Sequence, residues 1–428
     1  MKEVVVYVDP AAGMPGAACR IESPFDVPDV VSFLTVDDLT QLVPPGVVRQ
    51  LGEGLSDRIR QNPTVQQVLD LVLAHPPGQV SLPILFRVGD PLAHSLSWEA
   101  LVAGNDFLAL GERWPIARIA RGSTLDRDPV RPFVPPLRLM CVLSAVGQDA
   151  AEEWTGIHAA VTAARAAGLP VQVTLVSGDE AGVLEPARAL GDPDLTVVAL
   201  PNPAADVPVL ALVENSQPHI LHVFGHGAIA NDIGMVELGT IGDFERADGT
   251  SSVLVRAEEL GLAARRTGAW CVVLNICRGA EAGSAALTHA EEVVAHGVPA
   301  AVGMRRQVDV DDANAFSREW YPGVLAAVQR VVAAGAGQHE LAWSDTLVAA
   351  RRRLRDLHGG NPGDDDTWTL PVLYKLPGPF RLELPPAGVG ENQERTRLSE
   401  GDTLGGLIDV LPAGADASIA AELRGLVP

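Results

Sequence analysis

Lysine is almost absent from this chain. Lys2 and Lys375 are the only two, and the rest of the basic charge is arginine. With 32 basic against 54 acidic residues, the formal net charge is -22. Such a charge repels a phosphate backbone and an anionic lipid surface, so neither nucleic acid nor membrane is expected as a direct partner, whereas a basic peptide is attracted. Cysteine is scarce as well. Cys19, Cys141, Cys271 and Cys277 show neither a CxxC spacing nor a disulfide framework and read as free thiols of a reducing compartment. No apolar run approaches the roughly 20 residues that span a bilayer; Leu139–Val146 and Val298–Met304 have only strand length. The opening MKEVVVYVDPAAG lacks the apolar core and cleavage site of a secretory signal, and a cytoplasmic location is expected. Repeats of fixed period and glycine-rich phosphate loops are also missing.

What is present is apolar material, 47% of the 428 residues, enough for two or three compact units. Up to about Gly122 short strands (VVVYV, SLPILFRVG) mix with a helix around Thr64–Ala74, whose apolar residues keep helical spacing. The Pro-rich, charged stretch GSTLDRDPVRPFVPPLR ends this part, and a boundary is expected near residue 132. A regular alternation follows: strand LRLMCVLSAV, helix WTGIHAAVTAARAAG, strand LPVQVTLVSG, helix AGVLEPARALG and strand HILHVFGHG. After a turn-rich segment with an expected hairpin loop, ERADGTSS, come strand AWCVVLNIC, a helix over Ser284–His296, strand VPAAVGM, two helices within Asp311–Leu357 and strand WTLPVLYKL. Strands apolar on both faces that alternate with helices predict a mostly parallel sheet covered on both sides, an α/β sandwich. The expected organisation is a smaller α/β lobe at 1–132, the sandwich at 133–382, and a linker with a terminal helix (ASIAAELRGL) at 383–428.

In open parallel sheets, reactive side chains emerge at the carboxyl ends of strands. His226, in VFGHG, and Cys277, in NICRG, each end such a strand. On adjacent strands, imidazole and thiol meet across one crevice. A thiol of pKa about 8.5 is little ionised at pH 7, and a neighbouring imidazole that takes its proton makes it a nucleophile. The glycines beside both residues admit a substrate backbone, and the Gly227 and Cys277 N–H groups are the candidates for an oxyanion hole. A cysteine in C-R-G with a histidine about 50 residues upstream is also the caspase arrangement, although Asn275-Ile276 replaces the usual Gln-Ala.

Together VFGHG, VVLNICRGAEAG, AHGVPAAVGM, VDVDDANAFSREWY and WTLPVLY resemble a CHAT domain, the caspase-like peptidase unit related to separase and caspases. The resemblance covers roughly residues 90–380, including a leader-like Ser95–Ile119. It implies a caspase-like three-layer α/β/α sandwich preceded by a catalytically silent accessory lobe. By this resemblance His226 is the general base and Cys277 the nucleophile of a cysteine endopeptidase that needs no metal or cofactor. It also implies a bacterial stress or antiviral defence pathway, with a protein sensor or activator as partner.

Separase-like recognition of a basic P1 residue makes Asp309 the first candidate acid, with Asp311 or Asp312 behind it; both of the latter also stand where a helix begins. An acidic P1 residue would instead be read by Arg278, Arg305 or Arg306, and the acidity of the chain favours the basic choice. Val308 stands where these domains commonly carry an aromatic. His222 shares a strand face with His226, yet a zinc site would need further ligands that the spacing does not supply. Asp232 is read as a turn residue, and Cys271, His289, His296, Trp320 and Tyr321 as structural. Two other functions fit the same residues: a catalytically silent adaptor, and an acyltransferase or hydrolase acting on a non-peptide acyl group.

Overall fold

The structure, a computed structural model, describes residues 3–13, 15–28, 30–40, 47–74, 81–121, 130–202, 209–230, 233–246, 251–277 and 289–386. One sheet of 14 strands dominates them. Its strands are β1 (Val4–Pro10), β2 (Ala17–Glu22), β3 (Ser32–Leu34), β4 (Ile84–Val88), β5 (Ile116–Ile119), β6 (Leu137–Leu143) and β7 (Val171–Ser177). They continue with β8 (Leu195–Ala199), β9 (Ile220–Ala230), β10 (Ile233–Leu238), β11 (Val253–Arg256), β12 (Cys271–Cys277), β13 (Ala300–Met304) and β14 (Pro371–Lys375). The order across the sheet is β8-β7-β6-β9-β12-β13-β14-β5-β4-β1-β2-β3, with β10 and β11 extending from β9 as an antiparallel flap. From β8 to β13 every neighbour is parallel. Strand β14 runs antiparallel to β13 and parallel to β5. Strands on both sides of residue 132 therefore lie in one sheet.

The apolar runs are long because the central strands are covered twice. Their period-2 alternation divides them cleanly. Leu137, Leu139, Cys141 and Leu143 of β6, Ile220 and Phe224 of β9, and Cys271 and Val273 of β12 belong to one core. That core holds helices α1 (Val48–Arg60), α2 (Pro63–Leu73), α3 (Ala151–Ala166), α7 (Val310–Ala334) and α8 (Trp343–Leu357). Met140 and Val142, Leu221 and Val223, and Val272, Leu274 and Ile276 belong to the other core. There α4 (Val209–Ser216), α5 (Ala257–Arg266) and α6 (His289–Ala295) supply the opposing layer. This is the expected three-layer α/β/α arrangement. Gly168 closes α3 with φ +94°, a conformation that suits glycine, and turns the chain into β7.

Several elements differ from the sequence expectation. Strand β8 lies at the sheet edge, where partial exposure hides the apolar pattern, and α4 has only eight residues. The ERADGTSS segment lies in the connection between the antiparallel strands β10 and β11, and a helix, Ile241–Arg246, runs into its first two residues; residues 247–250 lie outside the described residues. The expected helix from Ser284 is described only over His289–Ala295. Arg381–Leu384 forms a strand between Gly337–Glu340 and Val130–Pro132 in a small second sheet, where a linker from 383 is expected; ASIAAELRGL lies outside the described residues. Among the described residues no helix is long and apolar enough to cross a membrane.

The leader before β5 is locked by a buried ion pair. Arg118 donates from Nε and Nη2 to the two Glu99 carboxylate oxygens at 3.0 and 2.8 Å, and Nη1 and Nη2 also donate to the carbonyls of His94 and Leu96. Both side chains are shielded from solvent. Removing one partner strands the other charge in the core. Arg118→Met is therefore expected to destabilise the fold by about 3–5 kcal/mol, and Arg118→Met with Glu99→Leu by clearly less. Urea denaturation of the two variants measures the difference.

Candidate active site

The carboxyl ends of β9 and β12 meet at one point. The two strands pair in parallel from Ile220↔Cys271 to His226↔Cys277, so the two sequence-predicted catalytic positions are register partners. Strand β6, on the other side of β9, stops pairing at Phe224↔Leu143. Its chain then peels away, and His226 stands where that neighbour has left. From His226 to Ala230, β9 pairs instead with the antiparallel β10 of the same sheet. Gly225 is needed at this close approach, because a Cβ there would stand 2.8 Å from the Glu237 carbonyl oxygen.

The departing loop after β6 holds the imidazole. Ser144 pins that loop: its N–H donates to the Phe224 carbonyl, its hydroxyl donates to the Gly239 carbonyl, and the hydroxyl oxygen accepts from Gly178 N–H. Two residues on, the Val146 carbonyl lies 2.7 Å from His226 Nε2. A carbonyl only accepts, so Nε2 is the protonated nitrogen, and in the neutral ring the lone pair is on Nδ1. His226 is half-buried, with a defined tautomer. Gly227 pairs with Val236 in the β9–β10 ladder. The Cys277 side chain, Arg278 and Asp232 lie outside the described residues.

Beneath the pair lies a buried polar cluster. Glu153 of α3, fully buried, accepts at Oε1 from Asn275 Nδ2 of β12 at 2.8 Å and from Ser317 Oγ of α7 at 2.5 Å. His222 Nε2 of β9 stands 2.9 Å from the same oxygen, close enough for an ion pair though not aligned as a hydrogen bond. Asn275 Nδ2 also donates to the Ala313 carbonyl of α7 at 3.1 Å. His222 thus faces Glu153 in the interior. Among the described residues, no three His, Cys, Asp or Glu side chains are gathered as metal ligands.

The rim beyond β13 carries the substrate-recognition candidates. Strand β13 is parallel to β12, so residues 305–309 leave at the same edge of the sheet as Cys277. Asp309 is the N-cap position of α7 and exposed, and its side chain makes no capping hydrogen bond; Asp311 is exposed in the first turn. Asp312 is buried and bound to His358 Nε2 at 2.7 Å. Arg305 and Arg306 both bind Asp366. Val308 is buried. Cys271, Trp320 and Tyr321 are core residues, and burial pushes the thiols of Cys271 and Cys141 far up and that of Cys19 up to about 12.

A family model described as the CHAT domain matches residues 49–356. This chain belongs to the CHAT-domain family. No curated protein matches it. In structure it is similar to a chain of the Saccharomyces cerevisiae separase–securin complex, at 10% identity and a TM-score of 0.45, over 90% of this chain and 30% of that one. The CHAT match begins inside α1, upstream of the leader at which the sequence resemblance starts. It takes in strands β4 to β13 and leaves out β1–β3 and β14.

In this CHAT-domain chain the leader is fastened to α6, the first described helix after Cys277. Glu291 of α6 accepts from Arg121 N–H, Nε and Nη2, and it also contacts His94 Nε2 at 2.8 Å. Burial opposes its charge, but the hydrogen bonds and charge of His94 and Arg121 prevail and lower the carboxyl to about 2. Its stabilisation is present above the ordinary glutamate value of about 4.3 and lost as pH falls through the folded value. His289, on the same helix, contacts the Ala228 and Met235 carbonyls through Nε2 and so braces the β9–β10 flap; His296 bonds the Glu292 carbonyl within its own helix.

Sequence reading missed Glu153, Val146, His358 and Asp366. Only Glu153 left a signal: it shares the helical stripe of Ile157, Ala160 and Ala164, an acid on an apolar face. The hydrogen bond to Asp312 raises the His358 pKa, burial opposes this, and the charges of Asp312, Asp365 and Asp309 add to the rise. A raised histidine stabilises the fold below the unfolded value of about 6.5 and loses that contribution as pH rises through the folded value. Asp312→Asn is expected to return the His358 NMR titration toward the ordinary value and to flatten the fall in stability with pH in this range. An unchanged titration would refute the coupling.

Proposed function

We propose that this chain is a cysteine endopeptidase with a His226/Cys277 dyad. The observation that carries the proposal is the register pairing of the two residues at the carboxyl edge of the sheet, with His226 held through Nε2 by the Val146 carbonyl. With that tautomer, Nδ1 takes the Cys277 thiol proton. The thiolate adds to the substrate carbonyl carbon, and the oxyanion is met by the Gly227 and Cys277 N–H groups. The imidazolium returns its proton to the departing amine, leaving an acyl-enzyme. A water that gives its proton to Nδ1 then attacks the thioester, and acid product and free thiol are regenerated.

A basic P1 residue is favoured. Asp309 and Asp311 are exposed at the same edge of the sheet, while Arg305 and Arg306 share Asp366 as their ion-pair partner. An acidic P1 residue would be read by Arg278, Arg305 or Arg306. We assign catalysis to residues 133–382, a silent accessory role to 1–132 and, after the strand Arg381–Leu384, a linker with a terminal helix up to residue 428. The protein is proposed to act in the cytoplasm, in a bacterial stress or antiviral defence pathway, on a protein substrate and under the control of a protein activator. Family membership supports this reading.

The test is cleavage of a diverse peptide library by wild type and Cys277→Ala, read by mass spectrometry, with and without lysate of the source cell. Cleavage with a basic P1 residue by wild type alone is expected, and His226→Ala should lower the rate about 10²–10⁴-fold. Alkylation reports the same thiol directly, because Cys19, Cys141 and Cys271 are buried and their raised pKa values make them slow. Silence in the library together with slow Cys277 alkylation would favour a catalytically silent adaptor.

A further inference from the structure

We infer that Glu153 is a positioning residue for the dyad, an inference that rests on the peptidase reading above. Strand alternation puts positions 222, 224 and 226 of β9 on one face, and positions 273, 275 and 277 of β12 on one face. Ile220 and Phe224, like Cys271 and Val273, pack into the core that holds α3 and α7, so both faces are turned toward the same layer. Glu153 therefore contacts β12 one pleat before Cys277, at Asn275, and β9 two pleats before His226, at His222. Through Ser317 it contacts α7, whose first turn carries the candidate P1 acids.

One carboxylate oxygen thus ties together, from α3, the three elements that bear the nucleophile, the base and the substrate acids. A buried carboxylate is a costly choice where an apolar side chain would fill the space, and shape alone does not require it. Apolar packing also tolerates small slides of one element past another, whereas hydrogen bonds with fixed donors do not. Reactive groups need that restraint. A displacement of about 1 Å between nucleophile and base costs on the order of a hundredfold in rate. Glu153 touches neither substrate nor reacting atoms. It acts by holding Asn275 and His222, and hence the ends of β12 and β9.

The test compares wild type, Glu153→Met and Glu153→Gln, using site-resolved alkylation and, on a peptide found in the library, kcat and KM. Glu153→Met fills much the same space but leaves Asn275 Nδ2 and Ser317 Oγ without their shared acceptor. It is expected to slow Cys277 alkylation and kcat about tenfold to a hundredfold with KM unchanged, while Cys19, Cys141 and Cys271 stay unreactive as in an intact fold. Glu153→Gln can keep an amide oxygen in the accepting place and is expected to retain much of the wild-type rate. Faster labelling of the buried thiols in Glu153→Met would mean a general loosening and overturn the inference, as would a Glu153→Gln variant no better than Glu153→Met. If wild-type Cys277 reacts no faster than an ordinary exposed thiol, the peptidase reading fails and this inference with it. If wild type is fast and Glu153→Met equally fast, only the inference fails.

Discussion

The parallel pairing of β9 with β12 is the constraint on which the rest depends. A parallel ladder fixes which residues stand side by side, and here it aligns Ile220 with Cys271 and carries that register to His226 and Cys277. Neither residue is near the other in sequence. A slip of one position would send every side chain of the strand into the opposite layer, exchanging Val223 with Phe224 and burying His226 in the wrong core. Because both faces are packed, that slip is strongly opposed.

Around this ladder the structure uses two kinds of contact. Apolar side chains supply the cohesion and divide into two cores by simple alternation. Several buried charges among the described residues sit at junctions: Arg118–Glu99 inside the leader, Glu291 with Arg121 and His94 between leader and α6, and Glu153 with Asn275 and Ser317 between strands and helices. Ion pairs of this kind add little net stability over apolar packing, but a mismatched alternative would leave charge uncompensated. They specify how elements are joined. The leader is accordingly part of the same sheet as the strands of the candidate site.

The strands were legible because β-branched and aliphatic runs ending in glycine have a local cause. The helix α3 and the paired helices α7 and α8 were legible from their periodicity for the same reason. Strand β8 was not, since an edge strand needs no continuous apolar run. His226 and Cys277 were legible as residue types at strand ends. The partners of His226 and Asp312 were not. Val146 acts through its backbone carbonyl, which any residue would provide, and His358 meets Asp312 only because the end of α8 is folded back on the start of α7.

From sequence alone came the acidic character, the alternation of buried strands and helices, and the resemblance of VFGHG and NICRG to a CHAT domain, which the family match confirms. These follow from composition and from patterns a few residues long. Which strands are neighbours, where β6 ends against β9, which imidazole nitrogen carries the proton, and which arginines pair with Asp366 were decided by the tertiary structure. Each depends on contacts between segments far apart in the chain, and only packing both faces of one sheet at once determines them.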